Sequence, residues 1–159
     1  MNFIPIAKPY IGSEEAEAVY KQVTSGWISM GKKVQEFENH LQEYLNVKHA
    51  IAFSNGTATL HAGLLALGVN PGDEVLVPSL SYISSANSVL FCNATPVFVE
   101  EDLQTFNVKP EEFEKKITEN SKVIMPVDLK GLPADYDAIN ALAKKYSLKV
   151  LADSAESFG

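Results

Sequence analysis

Three features of this 159-residue sequence predict an α/β fold built on a mostly parallel sheet. From residue 49 onward, short apolar runs alternate with stretches of helical character. Glycine, proline, asparagine and aspartate gather at the joints between them. The spacing leaves one helix between successive strands, which is the pattern of right-handed βαβ crossovers.

The elements follow in order. After an extended start holding Pro5 and Pro9, a helix is expected over 13–25, capped by Ser13, with Glu14 and Glu15 at its positive end. Gly26 closes it. The irregular segment Gly26-Trp27-Ile28-Ser29-Met30-Gly31 leads to a second helix, where Val34, Phe37, Leu41 and Leu45 share a face. Strands are expected at 49–53, 74–77, 96–99, 123–127 and 149–152, with helices at 57–67, 84–91, 110–117 and 135–146. Gly68 ends the first of these helices, and Asn70-Pro71-Gly72-Asp73 is a turn. In the 110–117 helix, Glu111–Lys115 and Glu112–Lys116 stand four apart, which marks a solvated face. The expected organisation is a helical segment over 1–48 and a sheet-bearing region over 49–159.

Composition narrows the function. Hydrophobic content of 46% with 21% charged residues is ordinary for a globular chain that buries a core. The net charge is −7, and all 13 basic residues are lysines, so nucleic acid is not expected as a partner. A carboxylate or diphosphate site in this chain must use lysine and backbone N–H groups in place of arginine's fork. The single cysteine, Cys92, fits a reducing compartment and reads as a small buried hydrophobe. No signal peptide and no apolar stretch of membrane-spanning length is visible, so a cytoplasmic protein is expected. His40, His49 and His61 form no metal pattern.

In parallel sheets, ligands bind beyond the carboxyl ends of strands, which selects 54–59, 78–82, 100–102, 128–131 and 153–159. The first place reads Ser54-Asn55-Gly56-Thr57-Ala58-Thr59 before an apolar helix. It is either an anion site at a helix N-terminus or a plain turn capped by Asn55 or Thr57. It carries neither a Walker motif nor a dinucleotide fingerprint. Tyr82, after the second run, is either a lid on a flat heterocycle or a core-edge aromatic. Asp153, after the last apolar run, is either a helix cap or the partner of a ligand cation. An ion pair at ~3 Å and an effective dielectric of ~20 is worth roughly 5 kcal/mol before desolvation, against ~1 kcal/mol for a cap. A phosphate turn, an aromatic stacker and an aspartate, in that order, match the three handles of pyridoxal 5′-phosphate (PLP): phosphate, flat ring and basic pyridine nitrogen.

Across essentially its whole length the chain resembles the amino-terminal part of the DegT/DnrJ/EryC1/StrS family of PLP-dependent nucleotide-sugar aminotransferases. The resemblance rests on Ser25-Gly26-Trp27-Ile28-Ser29 with Gly31, Phe37-Glu38, Ser54-Asn55-Gly56-Thr57-Ala58 with Leu60, and Pro71-Gly72-Asp73-Glu74-Val75. It continues through Val77-Pro78-Ser79, Pro96-Val97-Phe98-Val99, Gly131 with Pro133-Ala134-Asp135, and Asp153-Ser154-Ala155-Glu156-Ser157. The resemblance implies the three-layer αβα large domain of fold-type I, in truncated form, and PLP as cofactor. It also implies that Gly56, Thr57 and Ala58 hold the phosphate, that Tyr82 stacks on the ring and that Asp153 keeps the pyridine nitrogen protonated. By the same resemblance Glu156 would stand near the ring's 3′-oxygen, and Trp27 and Ser29 would lie beside the sugar nucleotide, with packing as the alternative role for Trp27. The implied reaction moves an amino group from glutamate to a nucleotide-linked keto sugar, with 4-keto-6-deoxy sugars of surface polysaccharides as acceptors, in a homodimer.

Two departures stand out. The family usually carries histidine before the Gly131 loop, whereas this chain reads Val127-Asp128-Leu129-Lys130-Gly131, which leaves the roles of Asp128 and Lys130 open. The family's Schiff-base lysine lies tens of residues beyond the Asp153 motif, past Gly159, so the chain alone is expected not to complete a transamination. The 49–53 strand is expected to lack its late antiparallel partner, leaving the isolated chain poorly stable or dependent on further protein. A sugar dehydratase of the same family and a non-catalytic, cofactor-binding half that needs a partner are the alternative readings.

Overall fold

The computed structural model describes residues 4, 5 and 7–158. They fall into two compact units, Met1–Ala52 and Phe53–Gly159. The first unit holds α1 (Ser13–Thr24) and α2 (Lys32–Leu45), neither with a fully buried residue. Gly12, rather than Ser13, is the N-cap of α1, because the Glu15 carboxylate reaches back to accept the Gly12 N–H at 2.7 Å. The helix ends into Gly26, whose φ of +77° is left-handed. From α2, the Glu38 carboxylate accepts the Ala52 N–H at 2.8 Å and tethers the segment that follows.

The second unit contains α3 (Gly56–Ala66), β1 (Glu74–Pro78), α4 (Ser84–Phe91), β2 (Thr95–Val99), α5 (Pro110–Lys116), β3 (Ser121–Ile124), α6 (Tyr136–Tyr146) and β4 (Lys149–Val150). The sheet order is β2-β1-β3-β4, and every pairing is parallel. Glu74 lies opposite Thr95 and Pro78 opposite Val99, while Leu76 pairs with Ile124 on the other side.

Side chains alternate across the two faces, as a period of two requires. Val75, Val77, Val123 and Met125 join Leu60 and Leu64 of α3 and Val89 of α4 in one core. Leu76, Val99 and Ile124 join Phe113 of α5 and Ile139, Leu142 and Ala143 of α6 in another. The reason lies in the strand order. From β1 the chain steps outward to β2, then crosses back past β1 to β3 and onward to β4. If each crossover is right-handed, that reversal sends α4 to one face and α5 and α6 to the other.

The expected strand at 49–53 does not form. A ladder needs a neighbouring strand, and none of the described residues supplies one; Ile51 and Phe53 are exposed. The runs at 123–127 and 149–152 form shorter ladders than expected. Pro126 has no N–H to donate, and the two chains meet again only in an isolated bridge between Val127 and Asp153. The ion pair observed in α5 is Glu112–Lys115 at 2.6 Å, three apart rather than four. Cys92 is buried and unpaired, and burial pushes its thiol pKa up.

Phe113 is fully buried between α5 and the sheet. Replacing it with alanine is expected to lower stability by about 3–5 kcal/mol, read from urea unfolding followed by circular dichroism. Leu103→Ala, at an 87% exposed position, is expected to stay within about 0.5 kcal/mol of the parent. A Phe113 variant as stable as the Leu103 variant would contradict this account of the core.

Candidate active site

The first wall of the site is the start of α3. Asn55 has extended backbone, and its side-chain oxygen accepts the Ala58 N–H at 2.9 Å. The Thr59 hydroxyl donates back to the Asn55 carbonyl at 3.2 Å. The N–H groups of Gly56 and Thr57 and the Thr57 hydroxyl have no partner among the described residues. A Cβ built on Gly56 would meet no described atom within 4 Å, and its φ is not left-handed. Neither backbone strain nor internal packing accounts for glycine there, so the turn is simply left bare. Gly63 is different: a Cβ there would lie 3.0 Å from Leu151, so the missing side chain lets α3 lie close to the segment after β4.

The second wall comes from the loop after β1. The Glu101 carboxylate accepts the Ser79 hydroxyl at 2.9 Å and the Leu80 N–H, which shapes the turn that presents Tyr82. Tyr82 is 77% exposed. Below it, the Ser81 and Ser85 hydroxyls lie 2.7 Å apart, and Ser85 donates to Asp153 at 2.8 Å. Asp153 is buried at the end of the β4 segment, its N–H on the Pro126 carbonyl at 2.9 Å. Its second carboxylate oxygen takes no hydrogen bond from a described residue. No helix begins after it among the described residues, so it caps none of them.

The third wall is the pair of loops after β3 and β4. The Glu156 carboxylate accepts the Lys130 N–H at 2.7 Å and the Lys130 ammonium at 3.1 Å, and these bonds hold its pKa below the usual carboxylate range. Lys130 adopts a left-handed φ of +56°. Asp128 is buried at 3% exposure and accepts hydrogen bonds from the Ala134 N–H and from the hydroxyls of Tyr136, Ser154 and Ser157. Burial opposes ionisation of Asp128, yet these four donors outweigh it and keep its pKa below the ordinary value. Burial, and then the bond to Asp128, push the Tyr136 hydroxyl pKa up. Asn107 braces the same loop, donating to the Leu132 carbonyl at 2.8 Å.

These walls enclose a cavity of about 430 Å³. Gly56, Thr57, Tyr82, Asp153 and Glu156 all line it, so the structure brings five of the six residues expected at a cofactor together. Ala58 lies in the same turn, with its N–H taken by Asn55. Trp27 and Ser29 belong to the first unit. There the Trp27 indole N–H donates to the Met30 carbonyl at 3.2 Å and sits over Gly31, where a Cβ would lie 2.3 Å from the indole nitrogen. A larger hollow of about 580 Å³ runs along Glu14, Glu17, Lys21, Gln22 and Lys33 of the first unit, and none of the residues expected to meet cofactor lines it.

Sequence reasoning missed Ser85, Ser154, Ser157 and Asn107, and it left Asp128 open. The only available signal was the placement of serines next to expected strand ends, and hydroxyls there usually serve turns.

A profile of the DegT/DnrJ/EryC1/StrS aminotransferase family matches residues 9–159. The GDP-perosamine synthase of Caulobacter vibrioides is 46% identical over 157 residues, covering 98% of this chain and 42% of that protein. The GDP-perosamine synthase of Escherichia coli O157:H7 is 44% identical over 160 residues, covering 100% of this chain and 44% of that protein. Among solved structures, NtdA from Bacillus subtilis with its cofactor PMP bound matches with a TM-score of 0.89 at 37% identity, over 94% of this chain and 35% of that one. The parallel sheet with helices on both faces is the fold of these aminotransferases, and the chain spans less than half the length of the two curated relatives. The chain belongs to the DegT/DnrJ/EryC1/StrS aminotransferase family.

Proposed function

We propose that this chain provides the cofactor-binding part of a PLP-dependent enzyme that passes an amino group from glutamate to a nucleotide-linked keto sugar. One observation carries the reading. A single cavity has unpartnered N–H donors at a helix start on one wall and a buried carboxylate with an uncommitted oxygen on another. That donor set fits PLP, which is anionic at its phosphate and basic at its ring nitrogen.

When bound, PLP supplies an electron sink for proton loss at the amine-bearing carbon. The rest is the work of this chain's residues. The Gly56 and Thr57 N–H groups and the Thr57 hydroxyl would hold the phosphate, aided by the positive end of α3. Asp153 would hold a proton on the pyridine nitrogen, with Ser85 fixing one of its oxygens. Tyr82 offers a ring face, Glu156 approaches the ring's oxygen, and Trp27 and Ser29 serve the sugar nucleotide. The name GDP-perosamine synthase, borne by both curated relatives, supports a GDP-linked sugar as substrate. Acceptors of the 4-keto-6-deoxy type, a role in surface polysaccharide, a homodimer and a cytoplasmic setting complete the proposal for a protein of the relatives' length.

Binding is tested with pyridoxamine 5′-phosphate, which lacks the aldehyde that reacts with surface lysines, against unphosphorylated pyridoxamine, both titrated by fluorescence. The phosphorylated form is expected to bind at least about tenfold tighter. Thr57→Val is expected to erode that preference by about tenfold while leaving pyridoxamine unchanged, and Asp153→Asn to weaken both ligands by about tenfold. Equal binding of the two ligands, or no effect of Asp153→Asn, would sink this reading. Transfer is tested on a protein of the relatives' length that carries this chain, given glutamate and a GDP-linked 4-keto-6-deoxy sugar. The expected product is 2-oxoglutarate in step with aminated sugar.

A further inference from the structure

Asp128 is a buried carboxylate that cofactor binding, as proposed above, does not use. Its Oδ1 accepts the Ala134 N–H at 2.9 Å and the Tyr136 hydroxyl at 2.8 Å. Its Oδ2 accepts the Ser154 hydroxyl at 2.6 Å and the Ser157 hydroxyl at 3.0 Å. Among the described residues no lysine forms an ion pair with it; the nearby Lys130 is committed to Glu156. The group is therefore stabilised wholly by neutral donors, two from the approach to α6 and two from the turn after Asp153.

That turn alternates. Ser154 and Ser157 point at Asp128, while Asp153, Ala155 and Glu156 line the cavity. Within the turn, the Ser157 N–H donates to the Ser154 carbonyl at 3.1 Å, and the Asp128 N–H donates to the Asp153 carbonyl at 3.1 Å. Few other restraints act on residues 154–157. The Glu156 carboxylate also accepts the Lys130 N–H at 2.7 Å and the Lys130 ammonium at 3.1 Å, but both bonds are exposed, where water competes and ion pairs hold geometry weakly. Charge-assisted hydrogen bonds donated to a buried carboxylate are the stronger restraint.

We propose that Asp128 is a positioning residue: it anchors the Ser154–Ser157 turn from behind and so sets where Asp153 and Glu156 face the cavity. Its effect on cofactor rests on the reading under Proposed function; its effect on the turn does not. The donors also predict which replacement is tolerated. Asparagine keeps one oxygen toward Ala134 and Tyr136, and the serine hydroxyls can rotate to accept from its amide. Alanine keeps nothing and leaves four donors unmet.

The test measures amide hydrogen exchange across 153–157 and, separately, pyridoxamine 5′-phosphate affinity, in the parent, Asp128→Ala, Asp128→Asn and the double variant Ser154→Ala/Ser157→Ala. Asp128→Ala is expected to speed exchange at 153–157 by about tenfold or more, with β1 and α3 unchanged, and to weaken the ligand by about tenfold. Asp128→Asn is expected to stay within about threefold of the parent in both. If Asp128→Ala fails to fold, the serine double variant decides, because it keeps the carboxylate and removes only the two anchors; faster exchange at 153–157 is again expected. Unchanged exchange at 153–157 in the folded variant overturns the proposal. A parent that binds no ligand defeats the cofactor reading alone, since exchange still reports on the anchor.

Discussion

The arrangement depends on one constraint: the direction in which the chain leaves each strand across the sheet switches between β1 and β3. These strands are neighbours, yet their onward connections leave in opposite directions and over opposite faces. The loops beyond their carboxyl ends therefore part, and a crevice opens between them. The wall residues after β1, β3 and β4 reach that crevice because they follow strands that all point the same way. The helix start at Gly56 joins them because α3 packs on the same face as α4, with Gly63 allowing its close approach to Leu151.

The chemistry of the crevice reflects the lack of arginine. Two buried carboxylates, Asp128 and Asp153, stand at the ends of adjacent strand segments, and neither has a cationic partner among the described residues. Their environments differ. Asp128 has both oxygens filled by four neutral donors and is thereby held ionised without a counter-ion. Asp153 has one oxygen filled by Ser85 and one left over. A saturated carboxylate can only support structure, whereas an unsaturated one in a cavity can meet a ligand. The donors account for the difference: Ala134, Tyr136, Ser154 and Ser157 surround Asp128, whereas among the described residues Ser85 alone reaches Asp153.

The expected helices formed close to their expected limits, because apolar spacing, caps and glycine stops are local. α1 shifted its cap by one residue when Glu15 preferred the Gly12 N–H. Strand limits were less legible. The run at 49–53 has strand composition, but a strand is a relation between two segments, and apolar content cannot reveal whether a partner is present. The run at 123–127 was cut by Pro126, which is visible in the sequence but whose effect depends on which neighbour needed its N–H.

The sequence by itself determined the alternation of strands and helices, and therefore the parallel sheet, because crossover geometry admits few other outcomes. It also determined the chemical inventory of the cavity: a bare Gly56-Thr57 turn, an aromatic at Tyr82 and an acid at Asp153, each placed after an expected strand. Only the tertiary structure decided that these share one cavity, that Trp27 seals Gly31, and that Asp128 meets Ser154 and Ser157 and does not line the cavity. The physical reason is range. Periodicity and capping act over a few residues, whereas the serine hydrogen bonds to the two aspartates connect residues 26 to 68 positions apart.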